Sequence, residues 1–199
     1  DPALVNDPRR DVDDDIADGR FDELGRAIAK DASGPCIVAL QEIQDDDGAE
    51  QTDVVSAHRT YEQLAVAVVR AGGPKYEWID ISPERDADGG QPGGNIRNGF
   101  LFDPKKVELI GGSLQLLGAQ SEAYKGSRKP LVARFRLLTC GAELEVINVH
   151  LASKRHQNGL FAPRQPGFDP RLKTRVQQVQ VIGEHLAKLR ERAVDYYVT

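Results

Sequence analysis

The sequence contains no methionine, not even at position 1. That absence predicts that these 199 residues are a processed or excised piece of a longer chain. Cysteine is scarce too. Cys36 and Cys140 lie far apart with no CxxC spacing, which excludes the usual zinc and thiol-redox motifs. Two unpaired thiols are expected rather than a disulfide, so the redox compartment stays open. No apolar run approaches the roughly 20 residues that cross a bilayer, and no signal peptide stands at the start. Basic residues are outnumbered, 26 against 31 acidic, for a formal net charge of -5. A blanket electrostatic grip on nucleic acid is thereby disfavoured, while a local basic groove remains open. No strand-to-helix turn carries the glycine spacing of a dinucleotide fingerprint or a P-loop. Against these absences, 40% hydrophobic and 29% charged residues describe an ordinary globular chain with enough length for one substantial core.

Periodicity sketches the organisation. The acidic stretch with Asp11, Asp13, Asp14, Asp15 and Asp18 lacks the spacing of a calcium loop and reads as solvated. Phe21, Leu24, Ile28 and Ala29 recur at helical spacing up to about Ala32. Cys36 to Leu40 is continuously apolar, the pattern of a strand buried on both faces. A helix is expected from about Arg59 to Ala71, stopped by Gly72-Gly73-Pro74, and a strand from Tyr76 to Ile81. Gly99 to Phe102 reads as a strand with Val107 to Ile110 as its hairpin partner. Leu131 to Leu138 and Glu143 to Val149 make a second hairpin around Cys140-Gly141. A long basic loop over 152–170 leads into an amphipathic helix from Arg171 to Arg192, and Val194 to Thr199 opens a further strand. Helices alternating with strands and hairpins predict a layered α/β sandwich with a mixed sheet.

Two segments carry the chemistry. Ile37-Val38-Ala39-Leu40-Gln41-Glu42 ends an apolar strand in a carboxylate, at the strand edge that ligand sites in open α/β folds favour. A single carboxylate suits Mg²⁺ or Mn²⁺, though an exposed strand-end glutamate gives the same signal. In Leu144-Glu145-Val146-Ile147-Asn148-Val149-His150-Leu151, Asn148 and His150 stand two apart and so share one face. An imidazole there can hydrogen-bond a phosphate oxygen as negative charge develops, with the asparagine positioning it; a structural strand histidine is the alternative. His58, His156 and His185 have no comparable setting, and His185 reads as surface. Arg97 follows the glycine-rich stretch Gly89 to Ile96, where backbone can approach a substrate and Arg97 can clamp a phosphate, or equally stand solvated. Lys154, Arg155, Arg164, Lys173 and Arg175 form either a positive rim or a scattered surface.

Together these segments resemble the endonuclease/exonuclease/phosphatase superfamily. The matching text is Ile37 to Ile43, Asn95-Ile96-Arg97-Asn98-Gly99-Phe100-Leu101-Phe102-Asp103-Pro104, Val146 to Lys154, and Arg175-x-x-Gln178. The Gly-Gly-Gln-Pro-Gly-Gly-Asn-Ile-Arg loop is most similar to a bacterial, nuclease-like branch that is often secreted or surface-associated. The resemblance implies a four-layer α/β sandwich of the deoxyribonuclease type with mixed sheets, only partly represented here, so that residues 1–199 form an incomplete domain. It implies Glu42 as the metal ligand for Mg²⁺ or Mn²⁺, His150 with Asn148 as the catalytic pair at the scissile phosphate, and Arg97, Lys154 and Arg175 as substrate contacts or supports. The family's first-strand asparagine, its Gly-Asp-x-Asn and its late Ser-Asp-His are not in this stretch, and Ile96 stands where the deoxyribonuclease branch has a glutamate. The implied activity is metal-dependent phosphodiester hydrolysis on a DNA or RNA backbone, with this stretch alone expected to be inactive. A lipid or inositol phosphate phosphatase of the same superfamily and a catalytically silent scaffold are the alternatives. No obligate protein partner is evident.

Overall fold

The computed structural model describes residues 19–154, 157, 158, 161, 163 and 165–199. The Asp11 to Asp18 stretch, Arg155, His156 and Arg164 lie outside them. The helical spacing of Phe21, Leu24 and Ile28 yields α1 (Arg20–Arg26), which runs on as a π-helical turn over Ala27–Asp31. The apolar run gives β1 (Ile37–Ile43), and the next amphipathic stretch gives α2 (His58–Arg70). Six strands follow: β2 (Glu77–Asp80), β3 (Arg97–Phe102), β4 (Val107–Leu109), β5 (Gln115–Leu116), β6 (Leu131–Leu137) and β7 (Glu143–Asn148). The long helix α3 (Leu172–Glu191) leads into β8 (Tyr196–Val198). Among the described residues no helix is long and apolar enough to cross a membrane. Both cysteines are free thiols.

The strands form two sheets, β1-β3-β2 and β4-β6-β7-β8, with β5 paired to β6. Three apolar clusters stack them into layers. Phe100 and Phe102 of β3 meet Leu131, Ala133 and Phe135 of β6 and Val146 of β7 between the sheets. Leu101, on the opposite face of β3, packs with Tyr61, Leu64 and Val68 of α2. Val132 and Ile147, on the outer face of the second sheet, pack with Leu189 of α3. Helix, sheet, sheet, helix is the four-layer order that the family resemblance implies.

Three expectations are corrected. Val107–Leu109 pairs with β6 rather than with β3. Both edges of β3 are already taken by β1 and β2. The turn at buried Asp103, whose N–H bonds the carbonyl of Cys36 and whose own carbonyl accepts the N–H of Val107, carries the chain to the other sheet. β1 is half-buried rather than buried: Ile37 and Ala39 pack between the sheets and Val38 and Leu40 pack toward α2, but as an edge strand its free side stays open. His185 is not a surface residue. It turns inward, with Nε2 2.5 Å from Oε1 of the buried Glu145 on β7, while Arg134 reaches the other carboxylate oxygen at 3.5 Å.

Gly99 shows how tightly the layers meet. It sits in the middle of β3 directly under the Tyr61 ring, and a Cβ there would fall inside the tyrosine hydroxyl. Tyr61 has nowhere to go, being buried and stacked on Trp78 at 6.3 Å. Gly99→Ala should therefore cost about 3 kcal/mol by overpacking. Urea unfolding measures this, and a loss well under 1 kcal/mol would show that α2 yields.

Candidate functional site

β1 runs antiparallel to β3, so the C-terminal end of β1 lies beside the start of β3; the end of β7 reaches the same corner from the second sheet. Asn148 closes that corner. It is fully buried, and its amide donates to the carbonyls of Leu40 at 2.7 Å and Gly99 at 3.0 Å, one from each strand of the facing pair. Its hydrogens are thus spent on the sheet across the sandwich, and its place is as a strut two residues before His150. Gln41 adds a second tie, donating Nε2 to the carbonyl of Val149 at 2.6 Å.

Glu42 is delivered by an irregularity. The register runs Leu40 opposite Gly99 and then Ile43 opposite Arg97, so β1 spends one extra residue there. Glu42 occupies that β-bulge with φ of 57°, a left-handed conformation that costs a non-glycine residue roughly 1–3 kcal/mol. The bulge aims the side chain out of the sheet, where it is 70% exposed, with Oε1 3.5 Å from His150 Nε2. The structure thus brings Glu42 and His150 together at one corner of the sandwich.

Arg128 joins them. Its Nε lies 3.4 Å from His150 Nδ1 and its Nη2 3.3 Å from Nε2, while Nη1 donates to the carbonyl of Asp88. The in-plane lone-pair directions of an imidazole diverge, so one planar fork cannot bond both nitrogens head-on; the guanidinium instead lies along the ring. Burial holds the His150 pKa below the ordinary value, the Arg128 charge lowers it further, and Glu42 opposes both. Burial likewise lowers the Arg128 pKa, opposed by Glu42 and Asp88. A mostly buried, neutral imidazole beside a guanidinium and a carboxylate is equipped to receive an anion together with a cation.

The other predicted residues stand apart from this cluster. Arg97 is buried, donating to the carbonyl of Asn95 and to Asp80 and Ser82, so it braces the turn before β3. Arg175 is fastened to the carbonyls of Ala152 and Ser153 and to Asp169, which makes it a support for the segment after His150. Lys154 is exposed on that same segment. The glycine-rich stretch serves packing rather than an open approach: a Cβ on Gly93, at φ of 83°, would strike the carbonyls of Ala49 and Glu50. In the sequence Arg128 stands only in a polar stretch, 118–130, with Lys125 and Lys129. The hairpin held the signal. Counting back from its turn through the β6–β7 register sets positions 128 and 129 opposite 151 and 150.

Among the described residues no group of three or more His, Cys, Asp or Glu side chains gathers to hold a metal. Glu42 is the one strongly exposed carboxylate in the cluster, a donor set that fits an ion keeping several waters. Behind it, the loop between β1 and α2 is locked by a buried carboxylate pair. Asp45 accepts from Asn95 Nδ2 at 2.7 Å, and its second oxygen, like one oxygen of Asp47, is buried without a hydrogen-bond partner.

No family model matches the sequence, and no curated protein matches it. Solved structures match by fold. A mannosyl-6-phosphatase of Bacteroides thetaiotaomicron aligns with TM-score 0.53 at 16% identity, over 92% of this chain and 58% of that one. D. rerio TDP2 complexed with a single-strand DNA product aligns with TM-score 0.50 at 18% identity, over 94% and 55%. An endonuclease/exonuclease/phosphatase from Bacteroides vulgatus aligns with TM-score 0.50 at 14% identity, over 92% and 56%. The chain spans little more than half the length of each. At such identities the likeness is one of fold.

The carboxylate pair makes stability depend on pH. Burial, and beyond it the Asp47 carboxyl, push Asp45 from 3.8 up to about 6 against the pull of Asn95. Between those values the folded chain binds a proton that the unfolded chain has released, so this group's contribution falls as pH rises from about 4 to about 6 and is flat beyond. Asp45→Asn keeps an acceptor for Asn95 and removes the charge. It should flatten that decline and stabilise the fold at pH 8 by on the order of 2 kcal/mol. Denaturant melts across pH 4–8 check this, and a variant no more stable than the parent at pH 8 would refute it.

Proposed function

On the endonuclease/exonuclease/phosphatase fold that this chain carries, we propose that Glu42, Arg128 and His150 handle a phosphoester for divalent-metal-dependent hydrolysis, and that the substrate is the phosphodiester backbone of a nucleic acid. The observation that carries the reading is the meeting of a carboxylate, a guanidinium and a depressed-pKa imidazole within 3.5 Å at one end of the sandwich. These residues arrive from three separate segments, which simple surface charge pairing does not require.

The roles follow from the chemistry of each group. Neutral His150 donates an N–H to a phosphate oxygen as charge builds there, and Arg128 supplies the neighbouring positive charge. Glu42 is the protein ligand for Mg²⁺ or Mn²⁺, an ion that when bound supplies Lewis-acid stabilisation of the developing oxyanion. Asn148 and Gln41 position His150, Arg97 holds the turn at the start of β3, and Arg175 holds the carbonyls beyond Ala152. Exposed Arg171, whose charge reaches Arg128, adds positive potential to this corner of a chain of net charge -5, and exposed Lys154 follows on the segment after His150. The D. rerio TDP2 neighbour carries a single-strand DNA product, which supports the nucleic-acid reading, and the B. thetaiotaomicron mannosyl-6-phosphatase neighbour supplies the phosphomonoester alternative.

Two measurements test this. Mn²⁺ added to the chain should broaden the His150 ring resonances selectively, and Glu42→Gln should abolish that broadening. In a protein carrying this chain, Mg²⁺-dependent plasmid nicking should fall about 10²–10³-fold on His150→Ala, the size of a lost oxyanion contact. Nicking indifferent to the substitution removes His150 from the chemistry. Turnover of phosphomonoesters with no cleavage of DNA or RNA replaces the nuclease reading with a phosphatase.

A further inference from the structure

The β6–β7 ladder ends at Leu131 opposite Asn148, and Arg128 and His150 both lie past that last pair. Something other than strand pairing must fix how far apart these two segments stand. On the side facing the first sheet, Asn98 donates Nδ2 to the carbonyls of Lys129 and Asn148. On the side facing α3, the same task falls to Gln178. Its side chain is fully buried. Its Oε1 accepts the N–H of Ala152 at 2.9 Å, two residues beyond His150. Its Nε2 donates to the carbonyl of Ala123 at 3.0 Å and lies 3.3 Å from Oγ of Ser127, the residue before Arg128. The main-chain carbonyl of Gln178 accepts the hydroxyl of buried Tyr124 at 3.0 Å, anchoring the same loop a second time.

We propose that Gln178 is a positioning residue whose single amide sets the spacing between the segment that delivers Arg128 and the segment that delivers His150. This rests on the reading of Arg128 and His150 as the phosphate-facing pair. The chemistry argues for it. Apart from Gln178 and His185, which bonds Glu145, the inward face of α3 is built on Ile182, Leu186 and Leu189, so a residue serving only to fill space there would be aliphatic. A buried amide is costly unless every donor and acceptor is engaged. Here both donor bonds go to one segment and the acceptor to the other. An amide is rigid and planar, so it fixes the distance between those partners in a way that two independent hydroxyls would not. An error of about 1 Å between groups converging on a phosphate lowers rates by up to about 10²-fold, so the spacing has functional weight.

The test uses the 199-residue chain and needs no turnover. Gln178→Met keeps the volume and removes the amide; Ser127→Ala cuts one donor arm only and serves if the first variant fails to fold. The primary readout is the nuclear Overhauser contact between Arg128 Nε–H and the His150 ring. The parent should show it, Gln178→Met should lose it while keeping its helical content and a cooperative melt, and Ser127→Ala should weaken it. Inorganic phosphate, used as the probe, should bind Gln178→Met about tenfold more weakly than the parent. A variant that melts at lower temperature yet keeps the full Arg128–His150 contact assigns Gln178 a purely structural role and overturns the proposal, as does a parent protein without that contact. A parent that shows the contact but binds no phosphate leaves the positioning role supported and sinks the functional reading instead.

Discussion

Everything at the candidate site depends on how two sheets are joined where their strands run out. Apolar packing between Phe100, Phe135 and their neighbours holds the middle of the sandwich, but it is non-directional and fixes no register at the ends. Asn148 supplies the direction. One amide bonded to Leu40 and Gly99 locks β7 across β1 and β3 at a single height. The bulge of β1, the exit of β7 and the start of β3 thereby become neighbours. Gln41 and Asn98 add further ties at the same corner, so the carboxylate of Glu42 and the ring of His150, carried on separate sheets, meet at one height.

A second consequence concerns charge. The chain is acidic as a whole, yet the cation nearest His150 is Arg128, with Arg171 close enough to Arg128 to act on its charge. Potential near a half-buried cluster is governed by nearby, poorly screened charges more than by the distant net count. Asp88 matters here because it pairs with Lys129, and its carbonyl engages Arg128. The loop that carries Asp88 is itself pinned through Asn95 to Asp45, so the electrostatics around Arg128 are anchored to packing well behind it.

The sequence showed much of this in outline. The continuous apolar run before Glu42 and the two-residue spacing of Asn148 and His150 are local patterns, and local patterns survive translation into strands. The layered order of helices and sheets was equally legible, since α2 and α3 announce their buried faces by spacing. What stayed hidden depended on partners distant in sequence. Nothing near Val107 says that both edges of β3 are occupied, so the hairpin rule misassigned it. Nothing near Glu42 reveals a bulge, which exists only relative to the register of β3. His185 looked like any polar helix residue because the buried Glu145 that draws it inward lies 40 positions away. Arg128 was concealed in a run of polar residues, although the hairpin register beside it carried the information.

The left-handed backbone at Glu42 sets two demands against each other at one position. Glycine and asparagine accept that geometry more comfortably, but glycine has no side chain and asparagine has a shorter, neutral one. A change made to relax the chain there shortens or removes the arm that reaches beyond the sheet. Thermal robustness and the outward carboxylate to which we assign the cation therefore pull in opposite directions at this single residue, and a search that rewarded folding alone would lose that carboxylate first.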